Sequence, residues 1–196
     1  MPLIVTQPAA VLAVTLQSLK DHLKVTDNNE DATIATYLGA AVLWAEDYTK
    51  RPFIIRTFKL YLDIFPAENL IELPTPLVTS VSSVKYYNAS GTLTTLSSAD
   101  YWTVTGDPDS PGAVILKSDA QWPTTQEDRP RAVEVTFFAG YGAGPELVPA
   151  DVRQAIMLMA AHLFTNRLPY VTGTIVSEVP RTMEALLAPR RFYSLA

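Results

Sequence analysis

The chain has 196 residues, the length of one domain or of a domain carrying an insertion, and its 48% hydrophobic against 18% charged content is that of a protein that buries a sizeable core. Lys and Arg number 15 against 20 Asp and Glu, so the net charge of -5 excludes the basic footprint of a protein that wraps nucleic acid or lies on an anionic membrane. The absence of cysteine excludes disulfide frameworks, thiolate nucleophiles and Cys-ligated metals together.

The first 20 residues, MPLIVTQPAAVLAVTLQSLK, are apolar, but Pro2, Gln7 and Pro8 interrupt the run and the first positive charge is Lys20, which argues against a signal peptide and for an extended arm. The other strongly apolar run, AIMLMAAHLF over 155–164, falls short of the roughly 20 residues that span a bilayer. A soluble, unexported protein is expected. Thr15 is placed to cap a short helix carrying Leu16, Leu19 and Leu23, and the polar stretch TDNNED over 26–31 ends it while putting Glu30 and Asp31 at the start of the next. Ile34, Leu38, Ala41, Ala45 and Tyr48 recur at helical spacing along that second helix, which should stop before Pro52 and complete an α-hairpin.

From Arg56 the period changes to two. Phe58, Leu60, Leu62 and Ile64 alternate with Lys59, Tyr61 and Asp63, the pattern of a half-buried strand. Hairpins are expected over 83–96, turning at Ala89 to Gly91, and over 101–117, turning across Pro108 and Pro111. AVEVTFFAG closes the series with Val133, Val135 and Phe137 on one face. After Pro149 the helical period returns: Val152, Ala155, Ile156, Met159 and Leu163 form a face that Leu158 widens, which predicts the most buried helix of the chain. A loop over 166–180 then leads to a short helix around Met183 to Leu187 and a tail. The fold class is α+β: a helical bundle, made of an α-hairpin and a long C-terminal helix, with an inserted antiparallel β region. One domain over 1–196 is expected, with the bundle at 15–53 and 148–188, the β insertion at 54–144 and the tail at 189–196.

VTFFAGYGAGPELVPADVRQAI, 135–156, has the strand, glycine loop and helix order of a phosphate cradle. A P-loop needs G-x-x-x-x-G-K-[ST], and a dinucleotide fingerprint needs a third glycine where this chain has Pro145; the loop also has no lysine. Gly140, Gly142 and Gly144 therefore read as a sharp structural joint. His22 and His162 each stand alone, without a ligand-spaced His or carboxylate on the same face, so neither a metal site nor a histidine-assisted nucleophile is supported. The carboxylates of GDPDSPG over 106–112 lack the EF-hand spacing, and NAS at 88–90 reads as a hairpin turn before it reads as a glycosylation site.

Four stretches have an order and spacing that resemble the head-to-tail connector (adaptor) proteins of tailed bacteriophages and gene transfer agents: TLQSLKDHLKVTDNNEDATIATYLGAAVLWAEDYTKRP, LDIFPAENLIELPTPLVTSVSSVKYYNASG, VTFFAGYGAGPELVPADVRQAIMLMAAHLFTNR and MEALLAPRRF. Together they span almost the whole chain. The resemblance implies a structural protein without enzymatic activity, cofactor or metal. It implies a ring of copies of this chain following a twelve-fold portal protein, with a tail or stopper protein as the other neighbour. DNA would pass through the lumen without specific binding, and no membrane is involved. It places the protein in the neck of a virion or phage-like particle assembled in the host cytoplasm. On the residues alone two other classes stay open: a small enzyme whose site is assembled from scattered residues such as Asp63, Asp100 and Asp107, and a β-rich receptor- or sugar-binding module built on its aromatic residues.

The segment from Pro180 concentrates Arg181, Arg190 and Arg191 against Glu184, beside the apolar Met183, Leu186, Leu187, Phe192 and Tyr193. Arginine among aromatics is the composition of interface centres, so this segment is the candidate for docking to the portal. The alternative is that its short helix packs on its own bundle and the end frays.

Overall fold

A computed structural model describes residues 2–167 and 181–193. The chain forms two compact units: a β unit holding the residues through Ala10 and Ile55–Tyr141, and a helical unit holding Val11–Ile54 and the described residues from Gly142 to Tyr193. The loop expected over 166–180 lies, from 168 onward, outside the described residues, as do 194–196.

In the β unit a five-stranded antiparallel sheet has the order β1-β2-β8-β4-β5, with β1 Leu3–Gln7, β2 Arg56–Leu62, β4 Val78–Tyr87, β5 Leu93–Thr95 and β8 Val133–Ala139. Strand β8 lies at its centre because Val133, Val135, Phe137 and Ala139 alternate inward and both of its edges are paired, to β2 and to β4. A second sheet, β3-β7-β6, is built from Leu70–Leu73, Gly112–Leu116 and Tyr101–Val104. Residues of both sheets share one core: Phe58, Leu60, Val84, Val135 and Phe137 from the first with Ile71, Leu73, Tyr101 and Val114 from the second. The Phe58 and Phe137 rings stack at 5.5 Å.

Both predicted hairpins are present, β4 with β5 and β6 with β7. The first turns on Asn88, whose Oδ1 accepts from Ser90 N at 3.1 Å, Ser90 Oγ at 2.7 Å and Thr92 N at 2.9 Å, an Asx turn. Three details differ from the sequence reading. The N-terminal arm is extended but not free, since β1 pairs with β2 from Leu3↔Leu60 to Gln7↔Thr57. Strand β2 ends at Leu62, and Ile64 beyond it is 69% exposed, because the period of two continued past the last ladder partner. Strand β3 was not anticipated; four residues between Pro66 and Pro74 give too short a run for its alternation to stand out.

The helical unit contains α1 Leu16–Leu23, α2 Asp31–Thr49, α3 Ala150–Thr165 and α4 Arg181–Leu187. Thr15 caps α1, its Oγ1 accepting from Ser18 N at 3.1 Å. Within α1 the buried Lys20 donates to Asn28 Oδ1 at 2.6 Å and Asp31 Oδ1 at 2.7 Å, which ties the polar connection to both helices. Helix α2 packs on α1 and α3, and α4 packs on α3. The left-handed Lys50, φ 56°, ends α2 two residues ahead of Pro52. At that end Thr49, with Oγ1 bonded to Ala45 O at 2.7 Å, takes the inward place and the expected Tyr48 is half-buried. The most buried described helix is α2, with six buried residues, rather than α3, with Val152, Ala155, Ile156 and Ala160. Met159, Leu163 and Leu158 are half-buried, so the apolar face of α3 is wider than the surface its neighbours cover.

Candidate functional site

The C-terminal residues form a small surface on the helical unit. Two of the predicted docking residues, Met183 and Leu187, stand four apart on α4 and are buried, as α4 packs on α3 and α2. A tight turn over Ala188–Arg190 follows, and then Phe192 is buried again, its N–H donating to Thr49 O at 2.8 Å. These three side chains hold the segment down and are not available to a partner. Arg190 is also spent within the unit: its guanidinium donates to both carboxylate oxygens of Asp151, at 2.9 and 3.4 Å, and its carbonyl accepts from Arg51 Nε.

What remains outside is Arg181, Arg191 and Tyr193, with Leu186 half-exposed. The Arg191 guanidinium lies 5.3 Å from the ring centroids of both Tyr48 and Tyr193, and Tyr48 in turn stacks on Trp44 at 5.7 Å. Trp44, Tyr48, Arg191 and Tyr193 thus form one continuous row in which a cation sits between two aromatic faces. Trp44 and Tyr48 did not enter the sequence-derived site. The signal for them is their i,i+4 spacing on a helix, which places two aromatics side by side on a partly exposed face.

The other candidates resolve into turns and core. Over the glycine joint, a Cβ on Gly142 would meet Leu147 Cδ1 at 2.2 Å and one on Gly144 would meet Glu146 Oε1 at 2.1 Å. The loop is therefore closed by its own side chains, and the one folded over Gly144 is a carboxylate that would repel phosphate. Asp63 Oδ1 accepts from Arg131 N at 2.7 Å and Asp107 Oδ1 from Asp109 N at 2.8 Å, while the backbone of Asp100 bonds Ser97 and Lys117. The Asp63 bond ties together segments 68 residues apart, and the Asp107 bond closes a local turn. His22 is exposed, and His162 Nδ1 meets Asn166 Nδ2 at 3.2 Å. Among the described residues no group of three or more His, Cys, Asp and Glu is placed to hold a metal, and no helix is long and apolar enough to cross a membrane. Most aromatics of the β unit are buried or half-buried, with Trp122 stacked on Phe65 at 4.7 Å and donating Nε1–H to Glu68 O at 2.9 Å; Trp102 is 64% exposed, and Lys117 Nζ lies 4.3 Å over its ring.

An α+β chain whose exposed functional candidates are stacking and charge-bearing groups is organised for contact with other macromolecules. The chain belongs to the phage gp6-like head-tail connector protein family, whose profile matches residues 13–111. Over its full length it is similar to a chain in the virion of a native gene transfer agent particle, at 26% identity and a TM-score of 0.79, covering 100% of this chain and 98% of that one. It is similar over the same shares to chains in the neck of an empty gene transfer agent particle computed with C6 symmetry, at 25% identity and 0.80, and in the neck of a native particle computed with C12 symmetry, at 25% and 0.77. No curated protein matches it. Its role is that of a head-tail connector, a structural component of a virion or gene-transfer particle.

Proposed function

We propose that the two units act as one connector domain and that copies of it close into a ring in the particle neck, between the portal and the tail or its stopper. DNA passes through the lumen without being gripped. The observation that carries this reading is the end-to-end likeness to chains from necks of C6 and C12 symmetry. The net charge of -5 supports it, because a lumen lined with Lys and Arg would bind phosphates and retard the genome. The protein is no enzyme; it assembles in the host cytoplasm and works by fitting between neighbours. Its contact with the portal is the row of Tyr48, Arg191 and Tyr193 together with Arg181 and Leu186, held from beneath by Met183, Leu187 and Phe192 and fixed at Arg190. Native mass spectrometry with and without portal tests the assembly. Rings of twelve, formed alone or on the portal, are the expected result, and a stable dimer indifferent to portal overturns it.

A further inference from the structure

Residues 32–45 of α2 contain no charged side chain, yet Ala32, Thr36, Ala40 and Leu43 are exposed, Leu43 at 66%. Their spacing of four, four and three sets them on the face opposite Ile34, Leu38, Ala41 and Ala45, and Asp47 extends it by one turn. A helix with no charge on either face over fourteen residues, and with an exposed leucine on the outer one, is suited to neighbours on both sides, and the chain supplies them on one side. Elsewhere on the helical unit a groove of about 360 Å³ runs between α1 and α3, lined among others by Val14, Ser18, Arg153, Gln154 and Met157. Arg153 Nε is buried there without a hydrogen-bond acceptor among the described residues. Glu146, the other charge of the groove, turns its carboxylate back over Gly144.

We infer that the outer face of α2 of one copy seats in the α1/α3 groove of the next copy, antiparallel to α3, and that this contact closes the ring; the inference rests on the ring reading above. The two surfaces match in spacing and in charge. Leu43 and Asp47 stand one turn apart on α2, and Met157 and Arg153 stand one turn apart on α3. Laid antiparallel, Leu43 meets Met157 while the Asp47 carboxylate meets the Arg153 guanidinium. The present partner of Asp47 is Lys50, at 2.6 Å with both side chains more than half exposed, a pair that leaves carboxylate lone pairs free. A cyclic ring of more than two copies needs two different, complementary patches on each chain, and this ridge and groove share no residue.

The test uses the full chain with portal present and reads the fraction in rings by native mass spectrometry, with the melting temperature as the check on folding. Leu43→Glu, at an exposed position, lowers the ring fraction about tenfold or more at unchanged melting temperature. Asp47→Arg does the same, and Asp47→Arg with Arg153→Asp restores rings. Should Arg153→Asp fail to fold, Leu43→Cys with Met157→Cys replaces that arm: the chain has no other cysteine, so oxidation yields a ladder of covalent oligomers between copies. Rings of the Leu43→Glu protein equal to those of the parent, or a cysteine pair that gives no ladder, overturn this interface while the ring reading stands. A parent protein that forms no ring with or without portal overturns both.

Discussion

Lys20 shows how a single residue departs from its usual surface role. It is buried on the inner side of α1 while its ammonium reaches Asn28 and Asp31 across the connection to α2, and two charge-assisted bonds offset the loss of water. Lys20→Met keeps the apolar stem and deletes both bonds. With Asp31 still partly open to solvent, the expected loss is about 1–2 kcal/mol, measured by urea unfolding, and an unchanged midpoint would show that the pair is idle. Two groups of the β unit set its response to alkali. The hydrogen bond from Lys59 to Glu134, against an opposing effect of burial, raises the Lys59 pKa above its ordinary 10.5, and burial raises that of the Tyr101 phenol above 10.0. Both folded values lie above the unfolded ones, so stability is fully present below about pH 10 and is lost as pH rises through the folded values. Melting temperatures should fall from pH 10 upward, and the fall should be shallower in a Lys59→Met, Tyr101→Phe protein; parallel curves for parent and variant would remove these groups from the cause.

At the scale of elements, the helices separate what is apolar from what is covered. Ile156 on α3 is fully buried, so Ile156→Asp places an unpartnered charge in the core, at a loss of several kcal/mol that should leave insoluble protein. Met159, one turn along the same helix, is half-buried, and Met159→Asp should stay soluble with a smaller fall in melting temperature. Equal behaviour of the two variants would mean that the inward face of α3 runs as its apolar pattern does rather than as its neighbours dictate. That contrast also explains why α3 was expected to be the most buried helix. Its pattern has the wider apolar face, but six positions of α2 are covered because α1 and α3 both pack on it.

For the molecule as a whole, the proposed portal contact and the proposed self-assembly face lie on different residues, so the two functions should separate. Arg191→Glu with Tyr193→Ala changes exposed groups and spares Phe192 and its bond to Thr49. The expected protein melts like the parent, still forms rings and no longer co-sediments with portal; retained portal binding would move the docking surface elsewhere. Much of this plan was legible in the amino-acid order: the α-hairpin, the two β hairpins, the last strand with Val133, Val135 and Phe137 on one face, the helix after Pro149 and the glycine joint follow from local period, caps and turn residues. Those signals act over a few neighbours in the chain. The partners of β1 and β8, the existence of β3, the inward turn of Thr49 in place of Tyr48 and the covering of Met183, Leu187 and Phe192 depend on residues more than a hundred positions apart in some cases, as with Phe192 and Thr49. Tertiary structure alone decided which arginines of the C-terminal segment are free to act. Arg190 is bound by Asp151 and Arg191 is left outside between two tyrosines, a distinction that composition cannot make because adjacent residues carry the same charge and differ only in what the fold brings beside them.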